Sequence, residues 1–387
     1  MFYNHQTEDA KNNYKKMLTI IGGMTKLFND DEIPYLHYRC QENIFCKYFD
    51  AINLARHDCS ADAKKGNIGI GLKTWRGQND QKVAEFGKLR EAYKNKAGLE
   101  LVKTIASYRN KRIEVTKNMY AIEILIYHIV KRDEKSMQIL ECAFDEIDID
   151  NIRIIENRGN DNNIYFSDKK HTYHFSLSKN TLYMIFDETK ELDSFDVKIM
   201  EDPYNFLLKI YDNGKSSITS AIPKREALPA DSICLRLYSI IGGRKVVNEK
   251  SGLNQWNAEG RNRDPNEIYI PYPSIDRRRN PDFFPPRDVP FNLELPDGKI
   301  ISAKLCQGDS KAIMSNPNKA LGEWLLRKVF RLPEGTLVTY EMLEVFDIDS
   351  VIFTKKADKY YSIDFAKTGT YEECYADAYA DISDAEE

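Results

Sequence analysis

The sequence predicts a mixed α+β / α/β chain of two unlike parts. The first is an N-terminal α/β part built around one short hairpin, and the second is a small, partly open β-barrel. Three observations predict this. Ile68, Ile70 and Leu72 alternate with Gly69, Gly71 and Lys73, directly after the turn chemistry of Lys64-Lys65-Gly66-Asn67, and helical patterns stand on either side. Beyond residue 231 the chain breaks into many short alternating segments with only two helical stretches. Between these regions, Pro223 to Pro229 with Lys224, Arg225 and Glu226 reads as a linker. The expected division is 1–222, a linker at 223–230, a second domain at 231–367 and a tail at 368–387. A chain of 387 residues, 42% hydrophobic and 30% charged, suits two or three globular domains and argues against disorder.

Net charge is only -4, but its distribution is uneven. Lys73 to Arg132 holds 14 basic residues against 6 acidic, and Arg244 to Arg331 holds 16 against 11. Asp145 to Asp202 holds 7 against 14, and the last 17 residues carry 7 acids and no base. Two basic blocks parted by an acidic one fit a protein that binds a polyanion on two confined surfaces. The seven cysteines form no Cys-x-x-Cys pair, which argues against a zinc site and for a reducing, cytoplasmic setting. The N-terminus reads as no signal peptide, and no apolar run approaches membrane-spanning length. No Gly-x4-Gly-Lys-Ser/Thr pattern is present, so no ATP-driven activity is expected.

Taking the elements in order, Glu8 to Phe28 carries Met17, Leu18, Ile20, Ile21, Met24 and Leu27 at helical spacing. A second helix is expected from about Gln41 to Arg56. Glu42 falls on the same face as Phe45 and Phe49, so a carboxylate is placed on the apolar side. Such burial is expensive without a compensating metal or cation. The hairpin then sets Asp62 and Lys73 on paired strands. An Asp and a Lys on neighbouring strands, with a carboxylate from the preceding helix, suit metal-assisted phosphodiester hydrolysis. The carboxylates hold Mg²⁺, and the Lys positions a water or lowers its pKa. This set, Asp62, Lys73 and Glu42, resembles the PD-(D/E)xK nuclease fold. Ala61-Asp62 stands where that family has Pro-Asp, and Gly71 stands where its second acid usually is. The resemblance implies Glu42 as the substitute carboxylate, with Glu85 on an expected helix from Gln81 to Tyr93 as the reserve. It also implies that Leu72 lends its main-chain carbonyl to the metal.

The middle of the chain is less directive. Asn118 to Val130 is strongly apolar and fits either a helix or a strand. Residues 152–155, 164–167, 172–177 and 181–186 read as short strands, and Tyr204 to Tyr211 as a helix. His171 and His174 fit structural roles better than ligation.

In the C-terminal part, Ser232 to Ser239 alternates as a half-buried strand. A loop follows that packs Asn254, Gln255, Trp256, Asn257, Arg261, Asn262, Arg263 and Asn266 into thirteen residues. These amide and guanidinium groups are the ones that make paired hydrogen bonds to base edges. Strands are expected at Glu267 to Ile270, Phe291 to Leu295 and Ile300 to Cys306, the last two joined by the turn Pro296-Asp297-Gly298-Lys299. A second polar loop runs from Gln307 to Asn316. Helices are expected at Ala320 to Phe330 and Thr339 to Phe346, and Val351 to Phe353 and Tyr360 to Phe365 close the set.

The ordered runs Gly252-Leu-Asn-Gln-Trp256, Gly260 to Pro273, Phe283-Phe-Pro285, Leu295 to Lys299 and Cys306 to Pro317 carry a resemblance. From about Asp231 to Phe365 they resemble the B3-like DNA-recognition domain of type II restriction endonucleases, closest to the NgoFVII group, whose barrel is shared with EcoRII and plant B3 factors. The resemblance implies two loops that grip the major groove. The first comprises Asn254, Gln255, Trp256, Arg261, Arg263 and Asn266. The second comprises Lys304, Gln307, Ser310, Lys311 and Ser315. Together the two resemblances imply a Mg²⁺-dependent type II restriction endonuclease that acts on double-stranded DNA as a homodimer. The alternatives are a non-catalytic DNA-binding protein and a nuclease subunit that needs a partner.

Overall fold

The computed structural model describes residues 1–54, 59–160, 162–213 and 231–375. The expected linker and most of the acidic tail lie outside these residues, as does Arg56; the second helix, expected to run to Arg56, already ends at Phe49, with Asp50 left-handed and a strand at Ile52–Asn53. The chain falls into two compact units: Met1–Ile113 with Ile122–Pro223, and Glu114–Ala121 with Lys224–Glu387.

The first unit opens with α1 (Glu8–Gly23) and α2 (Tyr38–Phe49). The Thr7 side chain caps α1 by accepting from the Ala10 N–H at 3.3 Å. Then come β1 (Ile52–Asn53), β2 (Ala63–Lys65), β3 (Ile68–Arg76), β4 (Asp80–Glu85), α3 (Arg90–Tyr93) and α4 (Gly98–Tyr120), whose last part, from Glu114, belongs to the second unit. The strands β5 (Ile124–Asp133), β6 (Ser136–Ala143), β7 (Arg153–Ile154), β8 (Asn163–Ser167), β9 (Thr172–Ser176), β10 (Thr181–Ile185) and β11 (Lys190–Asp196) follow, with α5 (Pro203–Asn213) after them. Six strands form one sheet in the order β1-β2-β3-β5-β6-β11, and five form a second in the order β4-β10-β9-β8-β7. In the first sheet only β3 and β5 are parallel, and α4 lies between them in the chain. Parallel neighbours need such a crossover. Gly66, at φ 58°, makes the β2–β3 turn that the sequence signalled. Ile70 and Leu72 bury against Leu18, Phe45, Phe49, Val130 and Ile139. The apolar half of the β3 alternation therefore joins the sheet to α1 and α2.

Two expectations are corrected here. The segment Gln81 to Tyr93 is not one helix. Asp80–Glu85 pairs with β10, Ile185 opposite Asp80 and Thr181 opposite Glu85, and only Gly87–Leu89 and Arg90–Tyr93 are helical. A ladder partner far along the chain overrides weak local helix preference. The apolar run 118–130 is split, with α4 ending at Tyr120 and β5 beginning at Ile124.

The second unit comprises β12 (Ser232–Arg236), β13 (Ser239–Ile241), β14 (Arg244–Val246), β15 (Ile270–Pro271), α6 (Ser274–Arg279), β16 (Phe291–Glu294), β17 (Ile300–Cys306) and β18 (Ala312–Asn316). These are followed by α7 (Ala320–Gly322), α8 (Tyr340–Phe346), β19 (Ile348–Ala357), β20 (Tyr360–Lys367) and α9 (Thr370–Cys374). Seven strands form a sheet in the order β12-β19-β20-β16-β17-β18-β15. Its two edge strands, β12 and β15, approach each other, so the sheet curls into a half-barrel. Ile233, Leu235, Leu293, Val351, Phe353 and Phe365 are buried within it. The expected strand at Glu267 to Ile270 shrinks to the pair Ile270–Pro271 on β18, and α7 continues as a π-helix over Glu323–Val329. No described helix is long and apolar enough to cross a membrane.

Candidate active site and nucleic-acid interface

The hairpin holds Asp62 by its own backbone. The Asp62 N–H donates to the Ile70 carbonyl at 2.9 Å, and Asp62 Oδ2 accepts from the Leu72 N–H at 2.7 Å. The carboxylate is thus fastened next to Lys73. Glu42 reaches the same place from α2 and is only 6% exposed. Arg39 Nη1 holds its Oε2 at 3.1 Å. Burial raises the Glu42 carboxyl above its usual range, the Asp62 charge adds to this, and Arg39 and Lys73 oppose it. Burial lowers the Lys73 ammonium, Asp62 and Glu42 pull it back up, and Lys82 and Arg109 push it down. Asp62, Glu42 and Lys73 therefore share one electrostatic neighbourhood. Gln41, one residue before Glu42, donates from Nε2 to the Lys73 carbonyl at 2.9 Å, so α2 and β3 are locked together at this point.

Position 71, where the nuclease resemblance implies an acid, is a glycine crowded by aromatic rings. A Cβ at Gly71 would lie 2.7 Å from two ring carbons of Tyr127 and 3.1 Å from Phe144. Tyr127 is the β5 partner of Gly71 and stacks on Phe144 with ring centroids 4.1 Å apart. Glu85, the reserve carboxylate, stands on β4 in the other sheet, where it is exposed and paired with Lys82 at 3.1 Å. It does not join Asp62, so Glu42 is the carboxylate that shares the neighbourhood. Among the described residues no three His, Cys, Asp or Glu side chains group as metal ligands. A metal here would rest on Asp62 and Glu42 with main-chain oxygen, as the Leu72 carbonyl would supply.

In the second unit, the loop from Gly252 starts as a 3-10 turn, Gly252–Asn257, and is stitched from inside. Asn254, 0% exposed, donates to the Asn248 and Val338 carbonyls at 3.1 and 2.9 Å and accepts from the Val338 N–H at 2.9 Å. Arg263 donates to the carbonyls of Ala258, Glu259 and Arg261. Asn266 is buried, and its Oδ1 accepts from Arg327 Nε at 2.6 Å. Ser315 is buried in β18, donating to the Pro317 carbonyl at 2.8 Å and accepting from the Leu321 N–H at 2.9 Å. Each of the four uses side-chain hydrogen bonds on the fold itself, so they brace the loops. Trp256 is half-buried with an indole N–H that finds no partner among the described residues.

Gln255 is half-exposed, and Arg261 is exposed while its Nη2 pairs with Glu267 Oε1 at 2.5 Å. On the second loop Lys311 is exposed, and Lys304 pairs with Asp288 at 3.1 Å. Gln307, Asp309 and Ser310 all have positive φ, at 66°, 56° and 58°, although none is glycine. Backbone of this kind costs energy and concentrates at binding loops.

Residues 232–357 match the NgoFVII C-terminal B3-like DNA-binding domain. The match covers about a third of the chain and lies within the second unit. The second unit is thus similar to a restriction-enzyme DNA-binding domain over most of its curled sheet and both polar loops. No curated protein matches the chain.

Reading by residue type missed two residues that shape the first site: Gln41, which holds the Lys73 carbonyl, and Tyr127, which fills position 71. Gly71 was the only local signal of the second. The different placements on the B3-like loops make a paired prediction. Asn254→Ala orphans two buried backbone groups, the Val338 N–H and carbonyl, and is expected to cost about 2 to 4 kcal/mol of unit stability, with no change in preferred DNA sequence. Arg261→Ala is expected to leave stability intact and weaken DNA binding roughly 10- to 100-fold. Denaturant unfolding and gel-shift titration of both variants check this.

Proposed function

We propose that this chain is a type II restriction endonuclease. The B3-like unit reads a short site in double-stranded DNA, and the first unit hydrolyses the phosphodiesters with Mg²⁺. The reading includes a PD-(D/E)xK-like core and a homodimer, since two strands need two active sites. One observation carries it: Asp62 Oδ2 accepts from the Leu72 N–H at 2.7 Å and Gln41, next to Glu42, donates to the Lys73 carbonyl at 2.9 Å, so the three residues meet where α2 joins β3, in a chain that also carries a B3-like DNA-binding segment. The β2–β3 hairpin, with α4 between β3 and its parallel neighbour β5, supports the nuclease core.

The donor set fits Mg²⁺. Glu42 and Asp62 are hard oxygen donors close enough for one charge to raise the pKa of the other. When bound, the ion would polarise the phosphate and ease loss of a proton from water. The protein's own groups do the rest. Asp62, fixed by the Leu72 N–H, and Glu42, steadied by Arg39, would hold the ion together with the Leu72 carbonyl. Lys73 orients the attacking water and stabilises charge developing on the phosphate. Gln255, Arg261, Gln307, Ser310, Lys304 and Lys311 are the residues proposed to touch DNA. At least half of such contacts go to phosphate.

The filling of position 71 by Tyr127 favours a second reading, a sequence-specific DNA-binding protein whose first unit does not cut. Incubating the purified full chain with phage DNA and Mg²⁺ separates the two. Discrete bands support the nuclease, and a gel shift without cleavage supports the binder.

A further inference from the structure

The candidate cleavage site is tied to a chain of buried polar side chains. Gln41 Nε2 donates to the Lys73 carbonyl at 2.9 Å, and the Gln41 side chain also hydrogen-bonds the Tyr14 hydroxyl. Tyr14 Oη lies 3.1 Å from His128 Nε2, and His128 Nδ1 lies 3.0 Å from Glu141 Oε1. The Tyr3 main-chain N–H donates to that same Glu141 oxygen at 3.0 Å. None of these four side chains is more than 1% exposed. They sit beside Leu18, Phe45 and Phe49, where apolar side chains would need no partners at all. One set of directions fills the chain. The Gln41 amide donates at both ends, the Tyr14 hydroxyl donates to His128 Nε2, and His128 Nδ1–H donates to Glu141.

What the chain connects gives it meaning. Tyr14 stands on α1, Gln41 on α2, His128 on β5 and Glu141 on β6, and the terminus is the β3 carbonyl of Lys73. Gln41 is also the immediate neighbour of Glu42. A shift at any link moves the helix bearing one carboxylate against the strand bearing the lysine. Glu141 Oε2 is the one end of the chain left without a partner among the described residues; the links before it are each paired, and removing one member leaves its neighbours unpaired as well.

We propose that Gln41, Tyr14, His128 and Glu141 are positioning residues of the cleavage site, fixing Glu42 and Lys73 relative to Asp62 through the Lys73 main chain. This inference rests on the nuclease reading. Its test uses full-length Tyr14→Phe and Gln41→Met, with Tyr3→Phe as comparison. The Tyr3 hydroxyl bonds Asp193 at 2.8 Å and takes no part in the chain. Two quantities are read: Mg²⁺ affinity of the DNA-free protein by calorimetry, and the single-turnover cleavage rate at saturating Mg²⁺ and DNA. Tyr14→Phe and Gln41→Met are expected to lose roughly 10- to 100-fold in both, the usual effect of residues that orient metal ligands. Tyr3→Phe should lose neither, and DNA affinity should hold in all three. If either chain variant does not fold, the other carries the comparison. Wild-type values in both chain variants, or an equal loss in Tyr3→Phe, overturn the positioning role while leaving the nuclease reading standing. A wild-type protein that neither binds Mg²⁺ nor cuts overturns the nuclease reading and this inference with it.

Discussion

Lys73→Ala is expected to abolish DNA cleavage while leaving site-specific binding unchanged. The loss should reach at least about a thousand-fold, the upper range for removing one preorganised group that stabilises transition-state charge. The expectation follows from where Lys73 sits. Burial works against its charge, and two carboxylates hold that charge in place. Removing the side chain takes away the cation and leaves Glu42 paired with Arg39. The Gln41 bond to the Lys73 carbonyl is to the main chain and survives the substitution. Folding is therefore expected to persist, as thermal unfolding would show. Gel shifts in Ca²⁺ and cleavage assays in Mg²⁺ separate binding from chemistry. A Lys73→Ala protein that still cuts plasmid would remove Lys73 from the site.

Gly322→Ala is expected to destabilise the B3-like unit by about 3 kcal/mol, the upper end for overpacking, and to abolish DNA binding with it. A methyl group there would lie 2.0 Å from the Asn266 carbonyl oxygen and 2.7 Å from its carbon. These are backbone atoms and cannot rotate aside. The helix and the loop must part, which pulls Asn266 Oδ1 from Arg327 Nε at 2.6 Å and the Pro265 carbonyl from Arg327 Nη2 at 2.7 Å. Both bonds anchor the C-terminal end of the first polar loop. Hydrogen exchange should show lost protection in β15, β18 and the π-helical segment, and native protection in β3 and β5. Full protection throughout, with normal DNA affinity, would mean that the helix–loop contact is not needed.

How much of this was legible in the sequence depended on periodicity. The β3 strand and its turn were readable because alternation and Gly66 leave local marks. The burial of Glu42 was readable from its spacing to Phe45 and Phe49 on one helix face. Tyr127 was not readable, because its effect on Gly71 depends on a parallel register between strands more than fifty positions apart. The strand Asp80–Glu85 leaves no local mark for the same reason, since its partner β10 lies a hundred residues on. In the B3-like loops the composition announced a polar surface correctly but could not say which amides face inward. Asn254, Arg263 and Asn266 bond to main chain or to Arg327 in irregular backbone, and such contacts repeat at no fixed spacing. Arg261, two residues from Arg263, is exposed by the same irregular path.

On the proposed function, one chain both reads a sequence and cuts it. Run-off sequencing of every DNA end produced by the purified protein with Mg²⁺ tests this most directly. The predicted result is a set of ends that all lie at one fixed offset from a single short sequence. Ends scattered without regard to sequence, or no ends from a protein that still binds DNA, would contradict it.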